Sequence, residues 1–474
     1  MVFSSPTFIS LFLPLTLALY FLLPKAWNNA LLVAASLVFY GWGDPLAALA
    51  LIIPSVALNF QLGRLIGAAQ GQRRRRLVVL AIAINLVVLI AFKYARFLLA
   101  NLNEVLALAG AAPLPLPEVP LPLGISFFTF HILSYLIDVY RGVLPPQQSL
   151  SAFALYIVNF PQLIAGPIIR YKQIADQLTR RVVAAGDVEY GVLRFVTGLG
   201  KKLLIADQVG QIADVTFGMP AAELSAGAAW LGVACYALQI YFDFSGYSDM
   251  AIGLARMFGF RFPENFNYPY SATSIQDFWR RWHMTLSAWF RDYVYIPLAG
   301  NRFGPWKTVR NLWLVFFLTG AWRGASWNFI IWGLWHGLFL SLERIPALAL
   351  LLARMPRVIR TGYVLVVVLI GWVFFRATTL DHALAYLACM FAPGPQTDLL
   401  LNTFDLVTWR SLAVIVVAFA LSLPLWPRLR DGARHPGSRD AAPWVSPAYV
   451  AAVMLLSFAA MAAQENSPFL YFRF

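Results

Sequence analysis

The chain has 474 residues, of which 60% are hydrophobic and 12% charged, and its 36 Lys and Arg against 22 Asp and Glu give a formal net charge of +14. A soluble domain carries about a quarter charged residues, so this chain has too little polar surface to cover itself in water and reads as an integral membrane protein. In such a chain the basic excess belongs to loops facing an anionic cytoplasmic leaflet, which removes the argument for nucleic acid as a partner. Cys235 and Cys389 both lie in apolar surroundings and suggest neither a metal-ligand cluster nor a disulfide framework.

Crossing a bilayer takes about 20 apolar residues in a helix. Runs of this kind occur at 7–23, 77–92 with its flanks, 223–242, 311–340, 358–375, 410–426 and 447–463. Both alternate faces of each run are apolar, so the fold is expected to be all-α and polytopic, not a barrel of alternating strands. The first run lacks preceding basic residues and a small-residue cleavage motif, and reads as a retained helix. Arg73 to Arg76 stand just before a helix expected to start near Leu77, and are placed on the cytoplasmic side. The stretch 105–124, with Pro113, Pro115, Pro117, Pro120 and Pro122, is too proline-dense for a continuous helix and is expected to turn at the membrane face.

From about 123 to 344 the character changes. Asp138, Gln162, Arg170, Lys201, Lys202, Asp207, Asp243, Ser245 and Asp249 interrupt apolar segments. Polar groups at membrane depth are costly, and in clusters they line a bundle interior or a cavity, so this region is expected to be the catalytic core of one membrane-embedded domain covering 1–474. Between Glu264 and Gly304, Arg280, Arg281, His283, Arg291 and Asp292 interleave with Phe278, Trp279, Trp282, Trp289 and Phe290, which suits an amphipathic helix at the interface. Ser274 with Asp277 forms a candidate capping box there. Further on, 427–442 reads as a surface loop with Arg428, Arg430, Arg434 and Arg439 as basic anchors.

Five histidines are present. His435 lies in that basic loop and His382 in a loop-like turn, and neither points to chemistry. His131, inside Phe130-His131-Ile132, reads as a core histidine with one satisfied nitrogen. His283 and His336 are the candidates. His336 sits in an apolar helix between Gly333 and Gly337, where on pattern alone an imidazole suits a helix-packing contact first, a catalytic base next and a haem ligand least. Arg323, in Trp322-Arg323-Gly324-Ala325-Ser326-Trp327-Asn328, interrupts the apolar run from 311. It either holds an anion or marks a break between two half-helices.

A longer pattern joins these residues. The blocks Ile125-Ser126-Phe127-Phe128, Tyr135-Leu136-Ile137-Asp138-Val139-Tyr140-Arg141, Phe160-Pro161-Gln162-Leu163-Ile164-Ala165-Gly166-Pro167, Tyr241-Phe242-Asp243-Phe244-Ser245-Gly246-Tyr247-Ser248-Asp249 and Phe278-Trp279-Arg280-Arg281-Trp282-His283-Met284-Thr285-Leu286-Ser287 follow one another in order. In these blocks the chain resembles the membrane-bound O-acyltransferases. More narrowly it resembles the bacterial branch that includes the alginate O-acetylation and teichoic acid D-alanine-transfer membrane proteins.

The resemblance implies roughly a dozen membrane and re-entrant helices around a central funnel, in a multi-pass protein of the bacterial inner membrane. It implies O-acetyl transfer from a cytoplasmic-side donor toward exopolysaccharide hydroxyls, with acetyl-coenzyme A or another acyl donor as substrate and no tightly bound cofactor or metal. Periplasmic acetyltransferase or carrier proteins, the polysaccharide acceptor and membrane lipid are the implied partners. His283, His336 and position 323 match the family's catalytic region, with Arg281, Asp292, Asn328 and Asp249 as candidate substrate contacts.

The family usually reads Gly-Leu-Trp-His-Gly-Ala where this chain reads Gly320-Ala321-Trp322-Arg323-Gly324-Ala325. Guanidinium stays protonated and cannot act as the base, although it can stabilise an oxyanion or hold an anionic donor. His283 or His336 then remains as the base, or the chain is an impaired or non-catalytic relative. On the family pattern, Arg323→His is expected to raise transfer at least about a hundredfold. A transporter of carrier or polysaccharide would also place polar residues at membrane depth. It would favour inverted repeats, and the sequence shows none.

Overall fold

A computed structural model describes residues 1–42, 45–117, 121–392, 407–425, 445–463 and 469–470. The loop at 427–442 and His435 lie outside the described residues.

All regular structure among the described residues is helical. The first half contains α1 (Phe8–Leu22), α2 (Asn28–Tyr40), α3 (Pro45–Ala68), α4 (Gly71–Lys93), α5 (Ala95–Leu108), α6 (Ile125–Tyr140), α7 (Leu150–Val158), α8 (Tyr171–Thr179) and α9 (Ala185–Gly200). Then come α10 (Asp207–Gly218), α11 (Ala226–Met257), α12 (Ile275–Arg281), α13 (Met284–Phe290), α14 (Pro305–Arg323) and α15 (Trp327–Leu342). The last are α16 (Pro346–Arg354), α17 (Arg357–Arg376), α18 (Leu380–Phe391), α19 (Trp409–Ser422) and α20 (Val445–Ala463). Leu49–Ala68 of α3, α4 and α17 are long and apolar enough to cross a membrane by themselves, and α15 with α16 forms a fourth candidate bent by 84°.

The helices gather into two compact units, Met1–Phe195 with Met250–Pro263, and Val196–Asp249 with Glu264–Phe474. In the first unit Phe3, Phe8, Phe12, Phe39 and Phe160 pack ring against ring, with centroids 5.0 to 6.4 Å apart. Between α3 and α4, Asn59 and Asn85 exchange two amide hydrogen bonds of 3.0 and 2.7 Å while buried. Each carboxamide thereby satisfies the other where water is absent. Helix α6 is buried along almost its whole length. Its His131 accepts a hydrogen bond at Nε2 from the Ile169 N–H at 3.3 Å, as expected for a core histidine.

The second unit corrects the reading of 311–340 as one span. The chain folds back at Gly324–Ser326, so α14 and α15 form a tight hairpin. Gly320 and Gly333 allow it. A Cβ on Gly333 would overlap the Phe316 carbonyl oxygen, and one on Gly320 would overlap that of Phe329. Small residues at a helix crossing are how apolar helices approach when no water drives them together.

The interfacial segment is likewise two short helices, α12 and α13, broken at Trp282–His283. Ser274 Oγ caps α12 by accepting from the Asp277 N–H at 2.9 Å, and the Asp277 carboxylate accepts from Thr273 N–H in place of the Ser274 N–H of a full capping box. His382 lies in the first turn of α18, where Thr379 caps the helix.

Candidate active site

His283 is the turn residue between α12 and α13. Its backbone is left-handed, with φ 43° and ψ 54°, a region that non-glycine residues occupy only when neighbours hold them there. Asn265 is the neighbour that does so. Its carbonyl oxygen accepts from the Met284 N–H at 2.9 Å, and its side-chain oxygen lies 3.0 Å from His283 Nδ1. The other imidazole nitrogen, Nε2, has no hydrogen-bond partner among the described residues, and the whole ring is buried.

Arg323 ends α14 and is 3% exposed. Its guanidinium carbon stands 4.9 Å from the Trp322 ring, 5.7 Å from Phe375, and 5.9 Å from both Phe244 and Trp332. Aromatic faces attract a cation and keep it without neutralising it. His283 touches two of the same rings, Phe244 edge-on at 4.7 Å and Trp322 at 6.0 Å. Burial first, and the Arg323 guanidinium second, hold the His283 imidazole well below the ordinary histidine range. His283 lies in a turn outside the helices long enough to span.

His336 faces the same aromatic group from α15, with Trp279 at 5.2 Å, Trp332 at 5.4 Å and Phe278 stacked at 6.1 Å. Neither of its ring nitrogens has a hydrogen-bond partner among the described residues. The three residues expected to carry chemistry thus meet in one aromatic cluster, with Phe244 and Trp322 linking His283 to Arg323 and Trp332 linking Arg323 to His336.

The four expected substrate contacts are placed otherwise. Arg281 pairs with Asp277 at 2.8 Å, Asp249 with Lys201 at 2.6 Å, and Asp292 with Arg291 at 2.9 Å. Asn328 donates to the Ala377 carbonyl at 2.8 Å. Each ties one element to another or to itself.

A cleft of about 490 Å³ opens beside the cluster. Its apolar lining includes Trp279, Met284 and Phe316, so it reaches the residue next to His283 and the ring packed on His336. Arg280, Arg291 and Arg344 are exposed around it.

The described residues are helical throughout their regular structure, and a buried imidazole, a guanidinium among aromatic rings and an apolar cleft lie together in the second unit. Residues 143–379 match the model of MBOAT, the membrane-bound O-acyltransferase family, and the chain belongs to that family. It is 43% identical to a probable alginate O-acetylase of Azotobacter vinelandii and 41% identical to that of Pseudomonas putida, with all of each chain covered. It is also 34% identical to a peptidoglycan O-acetyltransferase of Helicobacter pylori, over all of this chain and 98% of the relative.

Sequence reading had singled out His283, Arg323 and His336. Asn265 carried no local signal, because its partner stands 18 residues further on, across a turn. Phe244 lay inside a recognised block with nothing to mark it as the ring shared by His283 and Arg323.

Proposed function

We propose that the chain transfers an acetyl group from a thioester donor to a hydroxyl of an exopolysaccharide or its carrier, with His283 as general base and Arg323 as the charge that stabilises the oxyanion. The observation carrying this reading is the buried His283 Nε2, which no described residue engages, in a ring that shares two aromatic neighbours with Arg323.

As the acceptor oxygen forms its bond to the acyl carbonyl carbon, its proton passes to His283 Nε2 and the carbonyl π electrons move onto oxygen. The guanidinium favours that negative charge in a dry site, an effect worth about 10²–10³ in rate for a single donor elsewhere. Collapse breaks the carbon–sulfur bond, and the imidazolium returns the proton to the leaving thiolate. Ester and thiol result, and the base is restored.

The cleft suits the donor's apolar arm, and Arg280, Arg291 and Arg344 suit phosphate groups on it. Arg281, Asp249, Asp292 and Asn328 act in this reading by holding the walls. The relatives' names support a carbohydrate hydroxyl as acceptor, with periplasmic acetyltransferase or carrier proteins completing delivery. We place the protein in the inner membrane with Arg73–Arg76 cytoplasmic. The resemblance supplies the count of about a dozen membrane and re-entrant helices, toward which the three long apolar helices, the bent pair and the shorter apolar helices α1, α6, α18, α19 and α20 contribute nine.

The test is acetyl transfer by reconstituted protein with a labelled thioester donor. His283→Ala is expected to lower the rate by about a hundredfold or more, while His336→Ala loses far less. Arg323→His is expected to give no gain. If that variant instead runs about a hundredfold faster, the base belongs at position 323, as the family pattern implies.

A further inference from the structure

Asn265 is 1% exposed and uses every polar atom of its side chain within the second unit. Its Nδ2 donates to Ser248 Oγ at 3.0 Å. Its Oδ1 receives the Thr285 backbone N–H at 3.3 Å and the Thr285 hydroxyl at 2.9 Å, and faces His283 Nδ1 at 3.0 Å. A backbone N–H can only donate, so the amide atom turned toward residues 283–285 is the oxygen. Flipping the carboxamide would set its N–H donors against the Thr285 backbone N–H, whereas the Ser248 hydroxyl can either accept or donate and does not decide the matter.

The consequence concerns the imidazole. An amide oxygen cannot give a proton, so the 3.0 Å contact is a hydrogen bond only when His283 carries its proton on Nδ1. The other nitrogen, Nε2, is then a bare lone pair, and it is the buried atom that no described residue engages. An aspartate at 265 would fix the same tautomer but place a negative charge on the imidazole, favouring its protonated form. The neutral amide orients the ring without doing so.

We infer that Asn265 is the positioning residue of the reaction, fixing His283 in the Nδ1–H tautomer and leaving Nε2 to accept the hydroxyl proton. This rests on His283 being the base. In a Ser-His-Asp protease, losing the correct histidine tautomer while keeping the geometry lowers kcat by about 10⁴.

The test has an arm independent of turnover. In protein labelled with 15N-histidine and reconstituted in bilayers, the His283 signals, assigned by their loss in His283→Ala, should show Nδ1 protonated and Nε2 bare. A protonated Nε2 overturns the inference whatever the kinetics. In the kinetic arm, Asn265→Ala should lower kcat by about tenfold or more with the donor KM changed less than about threefold. Asn265→Asp keeps the acceptor and should retain more activity than the alanine variant. It should also shift the acid limb of the pH–rate profile upward by about one unit, because the carboxylate favours imidazolium. A merely structural Asn265 would lower folded yield and leave that limb in place, and an unmoved limb in folded Asn265→Asp overturns the assignment. Full transfer by His283→Ala sinks the base reading instead, which separates the two failures.

Discussion

Arg323 and His283 show how one charge tunes another through shared rings. Replacing Arg323 by Gln removes the positive charge that disfavours a second cation nearby, so the His283 imidazole should gain protons more readily. The active neutral form is then lost at a higher pH, and the acid limb of kcat/KM should move upward relative to the parent. A pH–rate series on the two proteins checks this, and an unmoved limb would place Arg323 out of electrical reach of the base. Both residues were legible in the sequence because each is chemically out of place, an imidazole among arginines and tryptophans and an arginine in an apolar run, although the turn at His283 was not. What sequence could not convey is their common wall. Phe244 lies 39 residues before His283, and an aromatic residue among aromatic residues carries no mark of what it touches.

At the scale of elements, the hairpin of α14 and α15 is the clearest case of pattern and fold diverging. Hydropathy reads both arms as apolar and cannot register a reversal, so only Arg323-Gly324-Ala325-Ser326 hinted at the break. The spacing of Gly320 and Gly333 is intelligible only once the arms are antiparallel. Gly333→Ala should therefore reduce folded yield and lower the thermal midpoint in detergent, since its methyl would meet the Phe316 carbonyl oxygen. Gly337→Ala, whose new carbon would lie 3.3 Å from Phe316 Cβ and overlap no atom, should be better tolerated. Equal behaviour of the two would show that close approach is not what the glycine provides.

Helix α3 was missed as a span because Pro54, Asn59, Gln61 and Arg64 dilute its apolar run. Asn59 is nonetheless provided for by Asn85, a pairing visible only in three dimensions. The four arginines 73–76 belong to α4 itself, whose N-terminus disfavours positive charge by about 0.3–1 kcal/mol per residue. Arg74 offsets this by donating to the Val139 carbonyl at 2.7 Å.

Across the molecule, one long reach within the second unit ends at a buried ion cluster. Lys202, 1% exposed and within a π-helical turn, holds Asp207 at 2.7 Å and Asp243 at 2.8 Å, and the Phe469 ring covers its ammonium at 4.9 Å. Asp243 also accepts from the Leu470 N–H at 3.0 Å. The three charged residues were legible as polar groups too costly to face lipid, but Phe469 and Leu470 were not, since two apolar residues beyond the last span give no sign of a polar destination. Removing one member of a buried pair costs about 3–5 kcal/mol because it strands the others. Lys202→Met should accordingly collapse folded yield, and adding Asp207→Asn and Asp243→Asn should restore much of it, as followed by detergent thermal melts.

Asp243 and Leu470 are separated by 227 residues, and Asp243 is the next residue before Phe244 in the chain. At ~5–20 residues per second of synthesis, the carboxylate waits roughly 10–45 s for that donor. The segment bearing the site's shared ring is thus inserted before its anchor has been translated. Until then Lys202 can hold Asp207 and Asp243, but the Asp243 carboxylate lacks the Leu470 N–H and the ammonium lacks the Phe469 ring that covers it.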